Sequence, residues 1–180
     1  SSPAATIIPS VGCPIGCNFC TTSSFFGGKG KSVTFFERGA DLFKVMCDVE
    51  AHLRVSAFFM MDENFLLYRK RALELLDLMK AHGKAWTMYV FSSANAIAKY
   101  SMRELIELGV SWIWLGLESP KSVYSKLKGT DTRALTAELQ AHGHHQALLL
   151  GDFVGGCEHT PADGIGFDNA PVGFGVERGG

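Results

Sequence analysis

Three of the chain's five cysteines fall within eight residues, as Cys13-Pro-Ile-Gly-Cys17-Asn-Phe-Cys20. At this chain's cysteine frequency, chance would place two more at those offsets on the order of once in a thousand times, so the cluster has a cause. Thiolates ligate zinc or iron–sulfur clusters. Three on one short loop can hold three corners of a cubane cluster and leave the fourth iron free for a cofactor or substrate. A zinc site would need a fourth ligand, for which His142, His144 and His145 are available. Structural zinc more often uses paired C-x₂-C elements, and here one C-x₃-C-x₂-C stands without a second pair. Cys47 and Cys157 stand alone, and Cys47, inside an amphipathic helical pattern, reads as a small buried hydrophobe.

The elements that must position this loop alternate between strand and helix. Thr6 to Val11 is a short apolar run that ends just before Gly12 and the cysteines. A helix is expected over 39–53, where Leu42, Met46, Val49 and Leu53 share a face. A buried strand is expected over 55–61 and a helix over 67–81 that ends at Gly83. An aromatic-rich strand follows over 85–91. Ser101 and Glu104 form a capping box, and the helix they open stops at Gly109. Residues 110–117 read as a strand, Ser119-Pro120 as a helix start, and Asp131 as the cap of a helix running to Gly143. A fifth strand is expected over 147–154. Trp112 and Trp114 alternate on one strand face and read as core.

Such βα units imply a parallel sheet, either doubly wound or part of a barrel, with ligands at the carboxyl ends of the strands. The unusual residues fall there. The cysteines follow strand one, Asp62-Glu63-Asn64 strand two, Ser92-Ser93 strand three and Glu118 strand four. Eight βα units typically need about 250 residues, more than these 180.

Lys and Arg number 17 against 18 Asp and Glu, which excludes a strongly basic nucleic-acid module and an acidic tail. No apolar run approaches the roughly 18 residues of a membrane span, and the first residues lack the pattern of a signal peptide. The expected location is cytoplasmic, with no membrane and no clear nucleic-acid partner. Gly27-Gly28-Lys29-Gly30-Lys31-Ser32 fails as a phosphate loop because its first glycine would fall at Phe25. It reads instead as a flexible loop beside the cysteines. The last 30 residues hold nine glycines and no lysine. We therefore divide the chain into a core over 1–155 and a glycine-rich irregular tail over 156–180.

Cys13-x₃-Cys17-x₂-Cys20 after a first strand, with Phe19 before the third cysteine, resembles the cluster motif of the radical S-adenosylmethionine (SAM) superfamily. The segments CNFCTTSSFFGGKGK, MMDENFLLYRKRALELL, YVFSSANA and WLGLES resemble the subset that carries an N-terminal cobalamin-binding domain. The likeness covers roughly residues 6–143. It implies an α/β fold, a partial (β/α) barrel of the radical SAM type that is incomplete at its C-terminus, as in a truncated fragment. Cys13, Cys17 and Cys20 would each ligate one iron of a [4Fe–4S] cluster, and the open iron would be chelated by SAM.

Reductive cleavage of SAM would give a 5′-deoxyadenosyl radical or support radical methyl transfer on an unidentified substrate. By the same resemblance, Asp62, Glu63 and Asn64 stand where the superfamily contacts the methionine amino group. Glu118 stands near the ribose or methionine end, Ser92 and Ser93 at polar SAM contacts, and Phe19 at the adenine. Cobalamin would come from an N-terminal domain absent from these residues, and the electron from a reducing partner such as flavodoxin or ferredoxin. The competing readings are a zinc-stabilised, non-catalytic binding module and an inactive fragment that holds a cluster.

Overall fold

The computed structural model describes residues 3–17, 20–116 and 130–149, with residues 145–149 described by their backbone alone. In chain order the elements are β1 (Ala4–Ile7), β2 (Ser10–Val11), α1 (Thr21–Phe25), β3 (Val33–Thr34), α2 (Gly39–Leu53) and β4 (Ala57–Met60). A single 3-10 turn (Phe65–Leu67) precedes α3 (Arg69–Ala81), β5 (Thr87–Ser92), α4 (Ala94–Ile97), α5 (Met102–Glu107), β6 (Val110–Gly116), α6 (Thr132–Ala141) and β7 (His145–Leu149). Among the described residues, five strands form one parallel sheet in the order β1-β4-β5-β6-β7. The fold is α/β, as the alternation implied. Its described strands follow chain order, without the reversal that makes the switch point of a doubly wound sheet.

The first strand departs from the sequence reading. Residues 6–11 were expected to be continuous, but the chain leaves the sheet after Ile7. Pro9 has no N–H to offer a ladder. Its carbonyl instead accepts from the backbone N–H groups of Phe35 and Phe36, at 2.9 and 3.2 Å. Ser10 and Val11 then pair antiparallel with Thr34 and Val33. The cysteines therefore leave a two-residue ribbon strand, not the sheet strand itself.

The sheet has two unlike faces. On one, Ile7, Met60, Val90 and Ile113 lie in register and are buried, as are Phe58, Met88 and Leu115. They join Leu42 and Met46 of α2 and Ala72, Leu75, Leu76 and Met79 of α3 in one apolar cluster. Burying a side chain of this size contributes about 1.5–3 kcal/mol, so this face carries most of the fold's driving force. On the other face Phe59, Phe91 and Trp114 meet at centroid separations of 5.0–5.7 Å, with Phe91 and Trp114 stacked. Trp112 lies 5.9 Å from Trp114. These rings are half-buried and outside the apolar cluster, so the two tryptophans are not core residues as their alternation suggested.

The caps fall where the sequence placed them. Ser101 and Glu104 make both bonds of the capping box, and Asp131 accepts from the backbone N–H groups of Arg133 and Ala134. Gly109, after α5, has φ +79°, and a Cβ there would stand 1.9 Å from the Trp86 carbonyl oxygen. The β5–β6 pairing allows no retreat, since Met88 N–H donates to the Gly109 carbonyl at 2.7 Å. Gly109→Ala is expected to destabilise the protein by about 3 kcal/mol or more, combining left-handed strain with a backbone clash. Urea unfolding, read as a fall in midpoint, checks this.

Candidate functional site

Cys13, Cys17 and Cys20 are half-buried, and none is in a disulfide. The loop that carries them is tightly built. The Cys20 N–H donates to the Cys17 carbonyl at 3.1 Å, and Cys20 is the N-cap of α1. The Gly30 N–H reaches back to the Pro14 carbonyl at 3.0 Å, so the glycine-lysine segment lies against the cysteine loop. Gly16 has φ +67°, and a Cβ on it would come within 2.2 Å of Lys29 Cα. Only glycine allows the two strands of this loop to approach so closely.

Among the described residues, no group of three or more His, Cys, Asp or Glu side chains is gathered into a metal site. The donor set still fits an iron–sulfur cluster, with three partly accessible cysteines outside any disulfide on one short loop. Thiolate ligands must deprotonate to bind, and the ion they hold draws them together. Burial pushes the Cys13 thiol above its ordinary pKa, and the charges of Cys20 and Glu63 add to this. Hydrogen bonds from the Ile15 backbone and the Asn64 side chain oppose it.

The three residues after β4 divide into two kinds. Asp62 is buried, and its carboxylate accepts from Arg71 Nη2 at 2.7 Å, from the Asn64 backbone N–H at 3.0 Å, and from the Ser10 hydroxyl. Arg71 is equally buried, lies over the Phe65 and Tyr68 rings, and donates through Nη1 to the Phe36 carbonyl. Asp62 thus ties the ribbon strand that leads to Cys13 onto α3. Asn64 is also buried, and its carboxamide joins Ser92 and Ser93 at the end of β5. Glu63 is exposed. The structure therefore brings Asp62, Asn64, Ser92, Ser93 and the cysteine loop together, with Glu63 alone of the acidic pair facing outward. Phe19 and Glu118 lie outside the described residues, as do Cys157, Ser119-Pro120 and the 156–180 tail.

Sequence reasoning missed Arg71. It occupies a core position of α3, beside Ala72, Leu75, Leu76 and Met79. A cation inside an apolar helical stripe is a signal for a buried carboxylate partner.

Of the histidines offered for zinc, His142 and His144 are described, and the side chain of His145 lies outside the described residues. His142 is exposed, with Nδ1 against the Glu138 carbonyl at 2.9 Å. His144 is buried, and its Nδ1–H donates to the Val110 carbonyl at 2.6 Å, which leaves Nε2 without a partner. Burial holds the His144 pKa below its ordinary value, with a smaller push from His142. With the folded value below the unfolded one, the unfolded chain binds the extra proton first as pH falls. The contribution of neutral His144 is complete above about 6.5, the usual histidine value, and declines as pH drops below it toward the depressed value. His144→Gln is expected to flatten that part of the profile, read by denaturant midpoints across the weakly acidic range.

A cavity of about 420 Å³ lies among Tyr100, Ser101, Asp131, Leu135 and Glu138, and none of the expected site residues lines it. Around the cysteine loop, Ile8, Phe25, Val33, Phe35 and Met61 are exposed apolar side chains. No helix of the described residues is long and apolar enough to cross a membrane.

No family model matches the chain. Over 159 residues it is 30% identical to bacteriochlorophyllide d C-12(1)-methyltransferase of Chlorobaculum tepidum, a match that covers 83% of this chain and 33% of that protein. The chain thus spans about a third of the length of the curated relative it matches. Its fold is similar to part of TsrM, a radical S-adenosylmethionine methyltransferase from Kitasatospora setae. The TM-score is 0.63 at 16% identity over 82% of this chain and 30% of the TsrM structure with tryptophan substrate and aza-SAM. It is 0.62 over 28% of the TsrM structure with cobalamin and a [4Fe-4S] cluster.

Proposed function

We propose that these residues form the cluster- and SAM-binding part of a radical SAM methyltransferase, with the sheet as an arc of a (β/α) barrel. The observation that carries the reading is the C-x₃-C-x₂-C loop, outside any disulfide, on a fold similar to part of TsrM. Sequence-ordered parallel strands suit a barrel arc and do not suit a doubly wound sheet.

Cys13, Cys17 and Cys20 would hold a [4Fe–4S] cluster. When bound and reduced, that group supplies the electron that breaks the sulfonium C–S bond of SAM. Glu63 would accept from the SAM ammonium, since Asp62 is engaged by Arg71 and Ser10 and Asn64 by Ser92 and Ser93. Ser93 and Asn95 supply further polar groups at the end of β5. Phe19 and Glu118 keep their expected adenine and ribose roles within this reading. The half-buried Phe59, Phe91, Trp112 and Trp114 would exclude water and present flat apolar surface to the substrate. Both named relatives act on flat conjugated ring systems, bacteriochlorophyllide and tryptophan, so a planar aromatic substrate is the class that fits. The exposed apolar side chains around the cysteine loop would be covered by a further domain of a longer protein, the cobalamin-binding one. A cytoplasmic flavodoxin or ferredoxin would supply the electron.

Anaerobic reconstitution with iron and sulfide, followed by EPR of the reduced protein with and without SAM, tests this. A cluster signal that shifts on addition of SAM supports an open iron and SAM binding together. A brown protein with no response to SAM, or a colourless one with a single zinc, overturns the reading.

A further inference from the structure

Asn64 shows more order than an ordinary loop amide. It follows β4, is 3% exposed, and its backbone N–H is held by Asp62 Oδ1 at 3.0 Å. Its Oδ1 accepts from the Ser92 hydroxyl at 3.0 Å and from the Ser93 backbone N–H at 3.1 Å. Its Nδ2 donates to Ser93 Oγ at 2.9 Å, and Ser93 Oγ donates onward to Asn95 Oδ1 at 2.7 Å. The remaining Nδ2 hydrogen is directed at Cys13 Sγ, 4.0 Å away.

The two ends of a carboxamide are often interchangeable, but here they are not. A backbone N–H can only donate, so the atom facing Ser93 N must be the oxygen. Flipping the amide would set two donors against each other in a buried site, at the cost of an unpaired polar group. The nitrogen is therefore committed to the sulfur side. The commitment is anchored on β5 through Ser92 and Ser93, and on α3 through Asp62 and Arg71, so it does not depend on the cysteine loop.

We infer that Asn64 is a positioning residue that donates an N–H···S hydrogen bond to the Cys13 thiolate of the cluster and raises its reduction potential. The inference rests on the cluster reading above. A hydrogen bond to a ligating sulfur withdraws electron density and favours the reduced cluster, which carries one more negative charge. A thiolate is also a stronger acceptor than a thiol, so the bond tightens when Cys13 ligates. The bond would thus bring an electron acceptor within reach of a weak physiological donor through an amide fixed at the end of β5.

The test uses the chain reconstituted anaerobically and asparagine labelled with ¹⁵N in the side chain, read by pulsed EPR of the reduced cluster. A ¹⁵N coupling that persists in Asn18→Asp is expected, since Asn18 is the other asparagine beside the cysteines in sequence. No coupling, or one that vanishes in Asn18→Asp, overturns the inference without requiring any Asn64 variant to fold. In Asn64→Leu, which removes the donor without adding charge, an EPR-monitored redox titration is expected to give a more negative midpoint. Cys47→Ala, on α2 and away from the cysteine loop, is expected to keep the native midpoint. An Asn64→Leu protein that loads its cluster and titrates at the native potential overturns the proposal. A cluster with no asparagine coupling sinks this inference alone, whereas failure to hold any cluster sinks the cluster reading and this inference with it.

Discussion

Alanine at Cys13, Cys17 or Cys20 is expected to abolish cluster incorporation, with iron per chain falling from about four to below one after anaerobic reconstitution. Each thiolate would hold one iron corner, and the fourth corner has no protein ligand to compensate. Cys47→Ala is the matched control. Its side chain packs against the apolar cluster on α2, so removing it should leave iron content unchanged. Iron and acid-labile sulfide assays decide the matter, together with loss of the broad visible absorption. Retention of full iron in any one of the three variants would remove that cysteine from the ligand set.

The second large effect concerns the pair beneath the loop. Asp62 and Arg71 are each about 1% exposed and 2.7 Å apart. Removing one partner strands a buried charge and is expected to cost about 3–5 kcal/mol. Asp62→Ala leaves the guanidinium facing the Phe65 and Tyr68 rings and the Phe36 carbonyl, with no anion. Arg71→Met leaves the carboxylate with only the Ser10 hydroxyl and the Asn64 N–H. The double variant Asp62→Leu/Arg71→Met should recover part of the loss, because neither charge then remains to be solvated. Denaturant unfolding of the four proteins in a cycle measures the coupling, and additive losses would show that the two residues act independently. Beyond stability, the single variants should load less iron, because Ser10 stands three residues before Cys13.

The sequence carried local structure well and long-range partnership poorly. The helix over 39–53, the Ser101–Glu104 box and the Asp131 cap were legible because each depends on residues a turn apart. Strand limits shifted by about two residues, since pairing with neighbours, not composition, decides where a ladder ends. Pro9 carried the one clear signal for the break in the first strand. The cysteine loop was legible from spacing alone. The engagement of Asp62 by Arg71 and of Asn64 by Ser92 and Ser93 was not, because these contacts join separate elements through tertiary packing. An acidic turn at the end of a strand reads as a ligand site, yet here Asp62 and Asn64 hold the site up and Glu63 alone points outward.

Sequential strand order also fixes a timetable. Each described sheet strand pairs with the strand made just before it in the sheet, so the sheet can grow as the chain leaves the ribosome. The cysteines belong to the opening of that sequence, and the arginine that braces their loop comes 51 residues after Cys20. At bacterial-to-eukaryotic synthesis rates this is a delay of roughly 3–10 seconds. Three thiols thus emerge before their scaffold exists, and on the proposed reading a cluster would be loaded only after the arrival of α3. A nascent chain stalled before Arg71 exposes the same thiols with no brace beneath them.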